Sequence, residues 1–134
     1  MSGWRRFTAA AGSRVQIVGD DLLTTNAARV AEAATGQLCN AVLIKPNQAG
    51  TLTEAHAALE AAQRASLSAI VSARSGESED VSIAHLAVGW NAGQIKVGSF
   101  ARSERMAKWN ELIRIEEALG SDARYAGRGA LRVR

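Results

Sequence analysis

Apolar residues gather into four short runs, at residues 15–18, 41–45, 69–72 and 94–97, separated by longer stretches in which they recur every third or fourth position. Short unbroken runs read as strands covered on both faces, and the intervening periodicity reads as amphipathic helix. The alternation predicts an α/β protein of four consecutive βα units, with parallel strands and flanking helices. Each run also leads to a polar end group: Asp20-Asp21 after the first, Lys45 closing the second, Arg74-Ser75 after the third and Lys96 within the fourth. Chemistry delivered to the C-terminal ends of successive parallel strands is the arrangement of a (β/α) barrel.

The punctuation between runs supports that reading. The segment from Met1 reads as the end of a helix leading into the first strand. Thr24, Thr25 and Asn26 offer N-cap oxygens to an alanine-rich helix over 27–34, with Gly36 as its stop. Residues 46–50 break the pattern. Thr51-Leu52-Thr53-Glu54 then matches a capping box, in which the Thr hydroxyl and the Glu carboxylate satisfy free N–H groups. The following helix should reach about Ala65, with Leu52, Ala55, Leu59 and Ala62 on its inner face. The polar loop 74–80 ends in acidic residues that suit a helix N-terminus, and the helix over 81–90 carries Ile83, Leu86, Ala87 and Trp90 on its apolar side. Ser103 is the expected N-cap of a long last helix that includes Met106, Ala107, Asn110, Ile113, Ile115 and Leu119, and Gly120 ends it. Residues 1–125 are expected to form one half-barrel, and residues 126–134 a basic flexible tail.

Length and composition sharpen this picture. A chain of 134 residues that is 47% hydrophobic can bury a core, yet a full barrel of this kind takes about 250 residues. Four units are half of one. The net charge of +3 draws on Arg5, Arg6 and Arg14 and on Arg124, Arg128, Arg132 and Arg134. Such a balance attracts phosphorylated metabolites, nucleic acid or acidic surfaces without choosing among them. The few aromatic residues do not interleave with the basic ones, so nucleic acid is not the expected partner. Cys39 is the only cysteine, which excludes an internal disulfide and a Cys-rich metal site and fits a reducing cytoplasm. Residues 8–13, after the basic N-terminus, are too short and mild for a signal-peptide core or a membrane span. A soluble, cytoplasmic protein without a membrane partner is expected.

Each end group has a structural and a chemical reading. Lys45 either packs its stem and extends its ammonium to solvent, or joins Lys96 as a pair of cations at one end of the sheet, where one can serve as a base. Asp20 and Asp21 either shape the turn into the helix or supply a hard oxygen ligand for Mg²⁺. Arg74, Ser75 and Gly76 form either a solvated loop anchored by Glu77 or a guanidinium fork, hydroxyl and open backbone suited to phosphate. His56 and His85 lie within predicted helices without a second ligand at metal spacing, and read as surface or locally satisfied histidines.

Taken in order, these motifs resemble a known family. Gly19-Asp20-Asp21-Leu22 with Thr25-Asn26, Leu43-Ile44-Lys45-Pro46-Asn47-Gln48 with Gly50-Thr51-Leu52-Thr53-Glu54, Ser72-Ala73-Arg74-Ser75-Gly76-Glu77, Gly93-Gln94-Ile95-Lys96-Val97-Gly98, Arg102-Ser103-Glu104-Arg105-Met106-Ala107-Lys108 and Leu112-Ile113-Arg114-Ile115-Glu116-Glu117 follow the C-terminal part of enolase, or phosphopyruvate hydratase. The resemblance covers nearly the whole chain and implies the C-terminal half of an enolase-type (β/α) barrel. Enolases are glycolytic, Mg²⁺-dependent lyases that convert 2-phosphoglycerate to phosphoenolpyruvate, and the superfamily uses a Lys or His base with Mg²⁺. By resemblance, Lys45 matches the base, Asp20 a Mg²⁺ ligand, Arg74 and Ser75 the phosphate contacts, and Lys96 the lysine that binds the substrate carboxylate. Ser72 and Ala73 complete the matched substrate loop.

Two departures qualify the match. Ala73 stands where the family loop carries a histidine, so an imidazole's hydrogen bonds and proton role are lost. His85 stands where the family commonly has an acidic residue, which should affect only a helix surface. Enolases place the capping domain, half of the barrel, two further carboxylate ligands and the glutamate acid N-terminal to the matched region. The chain alone is therefore expected to be inactive, since positioned acid–base groups are worth about 10²–10⁴-fold. Its open sheet edges are expected to pair, in a homodimer or with a chain supplying the other half. The alternative is a non-enzymatic half-barrel that binds a phosphorylated ligand or an acidic partner.

Overall fold

The computed structural model describes residues 1–133. Four parallel strands, β1 (Val18–Gly19), β2 (Ala41–Ile44), β3 (Ser68–Ser72) and β4 (Gly93–Lys96), lie side by side in sequence order. Helices α1 (Ser2–Ala11), α2 (Ala27–Thr35), α4 (Leu52–Arg64), α5 (Ser82–Gly89) and α6 (Ser103–Leu119) flank the sheet, and a single turn, α3 (Pro46–Ala49), follows β2. The register is regular, with Val42 opposite Ala69 and Val71 opposite Ile95. This is the α/β arrangement expected from the sequence.

β2 and β3 are buried along their full lengths, which is why both read as unbroken apolar runs. Alternation still sorts their two faces. Val42, Ile44, Ala69 and Val71 join the core beneath α2 and α4, while Leu43, Ile70 and Lys45 share the other parity. α2 and α4 pack closely because their contact residues are small: Ala33, Ala55, Ala58 and Ala62 are all buried, around Val30 and Leu59. Burying a side chain of Leu or Val size contributes about 1.5–3 kcal/mol, so this layer carries most of the core.

Several boundaries differ from the sequence expectation. The run at 15–18 shortens to Val18–Gly19, because Asn40 takes the place of a longer ladder: its Oδ1 accepts from Ile17 N at 2.6 Å, and its Nδ2 donates to the carbonyls of Gly12 and Val15 at 3.0 Å each. Lys45 falls just outside β2, as the residue capping α3. The 46–50 stretch, expected only as a break, forms that turn, since Pro46 is well suited to a first helical position. Leu52 is exposed rather than internal: it occupies the first turn of α4, before the buried face begins at Ala55. Arg102, not Ser103, precedes α6, and it makes no side-chain cap. Of the 17 residues of α6 only Lys108 is fully buried, whereas Ile113 and Leu119 are exposed.

The C-terminal segment meets the N-terminal ends of β3 and β4. The carbonyl of Ala130 accepts from Ser68 Oγ at 2.8 Å and from Gln94 Nε2 at 3.0 Å, and Arg132 N donates to Ser68 Oγ. Arg134, the last residue of the segment read as a tail, lies outside the described residues. The same Gln94 side chain exchanges amide bonds with Gln16 at 2.9 and 3.1 Å, joining the approach to β1 with β4.

Candidate active site

The four strand ends deliver their polar groups to one open cleft of about 640 Å³, lined by Asp20, Asp21, Lys45, Arg74, Ser75 and Lys96 among others. A larger cavity of about 860 Å³ lies between α6, β4 and the C-terminal segment. Apolar side chains such as Trp109, Leu112, Ile115 and Leu131 dominate its lining, and its charged groups, Glu116, Arg124 and Arg128, come from α6 and the C-terminal segment rather than from strand ends. The smaller cleft is the one with chemistry.

Asp20 reaches the cleft because β1 passes close beneath its own following loop. A Cβ on Gly19 would sit 2.5 Å from Leu23 Cδ1, so only glycine allows this tight return. Leu23 itself is buried and Leu23 N bonds the Asp20 carbonyl at 2.9 Å. The chain then passes through Thr24 and Thr25 at φ 48° and 52°, a left-handed conformation that β-branched residues rarely adopt. Each such residue costs on the order of 1–3 kcal/mol and persists only where its surroundings hold it. Asn26 follows as the N-cap of α2, accepting from Arg29 N.

Lys45 Nζ donates to Asp20 Oδ1 at 2.6 Å. The lysine side chain is 11% exposed and the carboxylate 40%. The stem packs, as the first structural reading of Lys45 expected, but the ammonium is paired with Asp20 rather than simply extended to water. Arg74, Ser75 and Lys96 are exposed on the opposite wall. Neither Arg74 nor Lys96 has an ion-pair partner among the described residues, and Glu77 does not anchor Arg74 by a salt bridge. Three cations and two carboxylates line the cleft, leaving one net positive charge and two unpaired cationic groups for an anion.

The structure separates the other sequence candidates. Ala73 lines the cleft with a methyl group, so no imidazole reaches it from that position. Ser72 does not line it: the residue is 1% exposed, and its Oγ donates to the Lys96 carbonyl at 2.9 Å, tying β3 to β4. His56 lies against Trp90, with ring centroids 5.1 Å apart, and His85 Nε2 meets Glu111 Oε1 at 2.9 Å. His85 thus joins α5 to α6, more than the surface effect expected for it. Sequence reasoning missed Thr25, Asn47 and Gln48 as members of this region. Their only signal was their place in the polar segments next to Asp20 and Lys45.

The fit to a metal is limited. Among the described residues no three His, Cys, Asp or Glu side chains converge on a cation. Asp20 offers one carboxylate, already bonded by Lys45, and Mg²⁺ prefers an octahedral set of oxygens. These residues alone do not make a metal centre.

The family model for the enolase C-terminal TIM barrel domain matches residues 1–133. The chain belongs to the enolase family. It is also 57% identical over 123 residues to the enolase of Anaplasma marginale (strain St. Maries), an alignment covering 92% of this chain and 28% of that protein. The chain thus spans just over a quarter of the length of the curated enolase it matches. Membership agrees with the four-stranded parallel sheet and with the strand-end placement of the cleft. No described helix is long and apolar enough to cross a membrane.

Proposed function

We propose that this chain supplies one wall of an enolase-type active site, binding the phosphate and carboxylate of 2-phosphoglycerate or phosphoenolpyruvate. The observation that carries the reading is the convergence of Lys45, Arg74, Ser75 and Lys96, from three different strand ends, on one cleft. Arg74 presents a fork suited to phosphate oxygens and Ser75 a hydroxyl beside it. Lys96 offers a point charge to a carboxylate. Lys45, buried in its stem and held at its tip, is the group fixed well enough to move a proton at the carbon next to that carboxylate. Mg²⁺ belongs to this reading, with Asp20 as one ligand, only when further ligands join it.

Family membership and this geometry support a part in the glycolytic lyase reaction. Ala73 leaves the phosphate wall without an imidazole, so the reading places this chain's strength in binding rather than turnover. Cytoplasmic residence fits the single, buried Cys39. The outer edges of β1 and β4 have no strand beside them within the described sheet, and such edges pair readily. Association follows, with a second copy or with a chain carrying the family's remaining barrel strands, and a folded monomer in sedimentation would overturn it.

Calorimetric titration with phosphoenolpyruvate, alongside a spectrophotometric assay for its formation, tests the function. Binding weakened by Arg74→Ala, without turnover by the chain alone, is expected. Failure of phosphoenolpyruvate to bind would overturn the assignment. A second reading, a non-enzymatic half-barrel for phosphorylated ligands, is favoured by the lack of a converging metal cluster among the described residues. Binding that is indifferent to Mg²⁺ selects it, and turnover abolished by Lys45→Ala excludes it.

A further inference from the structure

For Lys45 and Arg74 to meet the same ligand, the loops after β1, β2 and β3 must keep a fixed spacing. Two residues of α3 bond to different neighbours. Asn47 Oδ1 accepts from the backbone N–H of Arg74 at 3.0 Å, across from the β2 loop to the β3 loop. Gln48 Oε1 accepts from Thr25 Oγ1 at 2.8 Å, across to the β1 loop. Thr25 Oγ1 in turn accepts from the backbone N–H of Lys45 at 3.0 Å. The Thr25 hydroxyl therefore both donates and accepts, which an apolar side chain of the same shape cannot do. Thr25 is 2% exposed and sits at a strained backbone angle, so its surroundings hold it against an intrinsic preference.

We propose that Thr25, Asn47 and Gln48 are positioning residues that clasp the three strand-end loops, setting the separation of Lys45 and Arg74 before a ligand arrives. Thr25 fixes the backbone of Lys45, and Asn47 fixes that of Arg74. Gln48 locks the Thr25 hydroxyl in the orientation that accepts from Lys45. Preorganisation of this kind lets a ligand bind without ordering the loops itself.

The test compares wild type with Thr25→Val, Thr25→Ser and Gln48→Met, reading amide hydrogen exchange by NMR and affinity for phosphoenolpyruvate by calorimetry. In Thr25→Val, exchange at the Lys45 amide should quicken about 10-fold, and phosphoenolpyruvate affinity should fall about 3- to 10-fold, the range set by one or so net hydrogen bonds. The amide of Val71, within β3, should stay as slow as in wild type, and Thr25→Ser should restore both readings. Unchanged Lys45 exchange in Thr25→Val, quickening shared equally by Val71, or failure of Thr25→Ser to restore would each overturn the clasp. Should Thr25→Val not fold, Gln48→Met decides: Lys45 exchange should rise about 2- to 3-fold, the lower end of one net hydrogen bond, and no rise overturns the proposal. The affinity arm rests on the binding reading above. If wild type does not bind phosphoenolpyruvate, that reading fails, while the amide measurements still decide the clasp.

Discussion

β2 and β3 are covered on both faces and joined to helices rich in buried alanine, whereas β4 is half-exposed and packs on α5, beyond which α6 buries one side chain. On the β2–β3 side, Val42, Ile44, Val71 and Leu59 are 1% exposed or less. On the β4 side, Arg105 Nε and Trp109 Nε1 are buried without a hydrogen-bond partner, and Trp109 stacks on an exposed Phe100 with centroids 5.0 Å apart. The first region is held by close packing and the second by polar ties, notably His85 to Glu111 and Lys108 to the loop after β3. The candidate site draws its ion pair from the loop after β1, which supplies Asp20, and from the end of β2 in the first region, which supplies Lys45, and draws its exposed cation Lys96 from the second. A fixed wall and a softer wall thus face each other across the cleft.

The largest expected effect separates the two regions directly. Leu59→Ala removes a side chain that is 1% exposed between α4 and its neighbours, and such a truncation costs about 2–5 kcal/mol. Ile113→Ala, on a residue of α6 that is 55% exposed, should change stability by no more than about 0.5 kcal/mol. Urea unfolding of both variants measures the contrast. Comparable losses at the two sites would show that α6 is packed as firmly as α4, and the distinction would collapse.

Lys108 gives a finer test, because its effect should be local. Its buried Nζ donates to the carbonyls of Ser78 at 2.8 Å and Glu104 at 2.7 Å, with no ion pair to a carboxylate among the described residues. Removing the lone ammonium relieves the cost of burying a charge but takes the donor from two carbonyls, of which that of exposed Ser78 can turn to water instead. With these effects opposed, Lys108→Met should leave global stability within about 1 kcal/mol, while the loop between Arg74 and Asp80 becomes more open to protease. A large global loss with an unchanged cleavage pattern would make Lys108 a core residue rather than a loop anchor.

The same contrast explains what could be read in the sequence. β2 and β3 were legible because strands covered on both faces must be apolar throughout. The helix starts at Asn26 and Thr51 were legible because caps are local: Thr51 Oγ1 accepts from Glu54 N, although the Glu54 carboxylate accepts from the Thr51 hydroxyl rather than from the backbone. β1 was not legible as built, since a two-residue strand has no period and its support comes from the Asn40 side chain, distant in sequence. The apolar pattern of α6 announced a buried face without saying what would cover it. In the cleft, Asp20, Lys45, Arg74, Ser75 and Lys96 were legible because each lies in or just after an apolar run, and Ala73 because it departs from a known loop. Thr25, Asn47 and Gln48 stood in the quoted motifs, but their ties were not legible because their partners lie on other loops, a pairing that only the fold creates.

The smallest expected effect is one of pH, and it too falls on the softer side. The Arg114 guanidinium, bonded to Glu111 Oε2 at 2.9 Å, and then His85 hold the Glu111 carboxyl below its ordinary value of 4.5. Hydrogen bonds from Ser82 likewise hold Asp80 below its ordinary 3.8, at the start of α5. A carboxyl depressed in the folded state contributes stability that is fully present above its unfolded value and is lost as pH falls through the folded value. Acid should therefore loosen the α5–α6 contact first, from about pH 4.5 downward, while the α2–α4 layer, which lacks such ties, keeps its protection. Amide exchange across a pH series, in wild type and Glu111→Gln, reads this locally. The variant should show the weaker α6 protection already at neutral pH and a shallower decline in acid, because the charge whose loss drives that decline is gone. Equal declines in the two proteins would mean that the His85–Glu111–Arg114 cluster is not what holds α6 in place. The softer wall would then owe its position to the packing of Leu86, Trp90 and their neighbours instead.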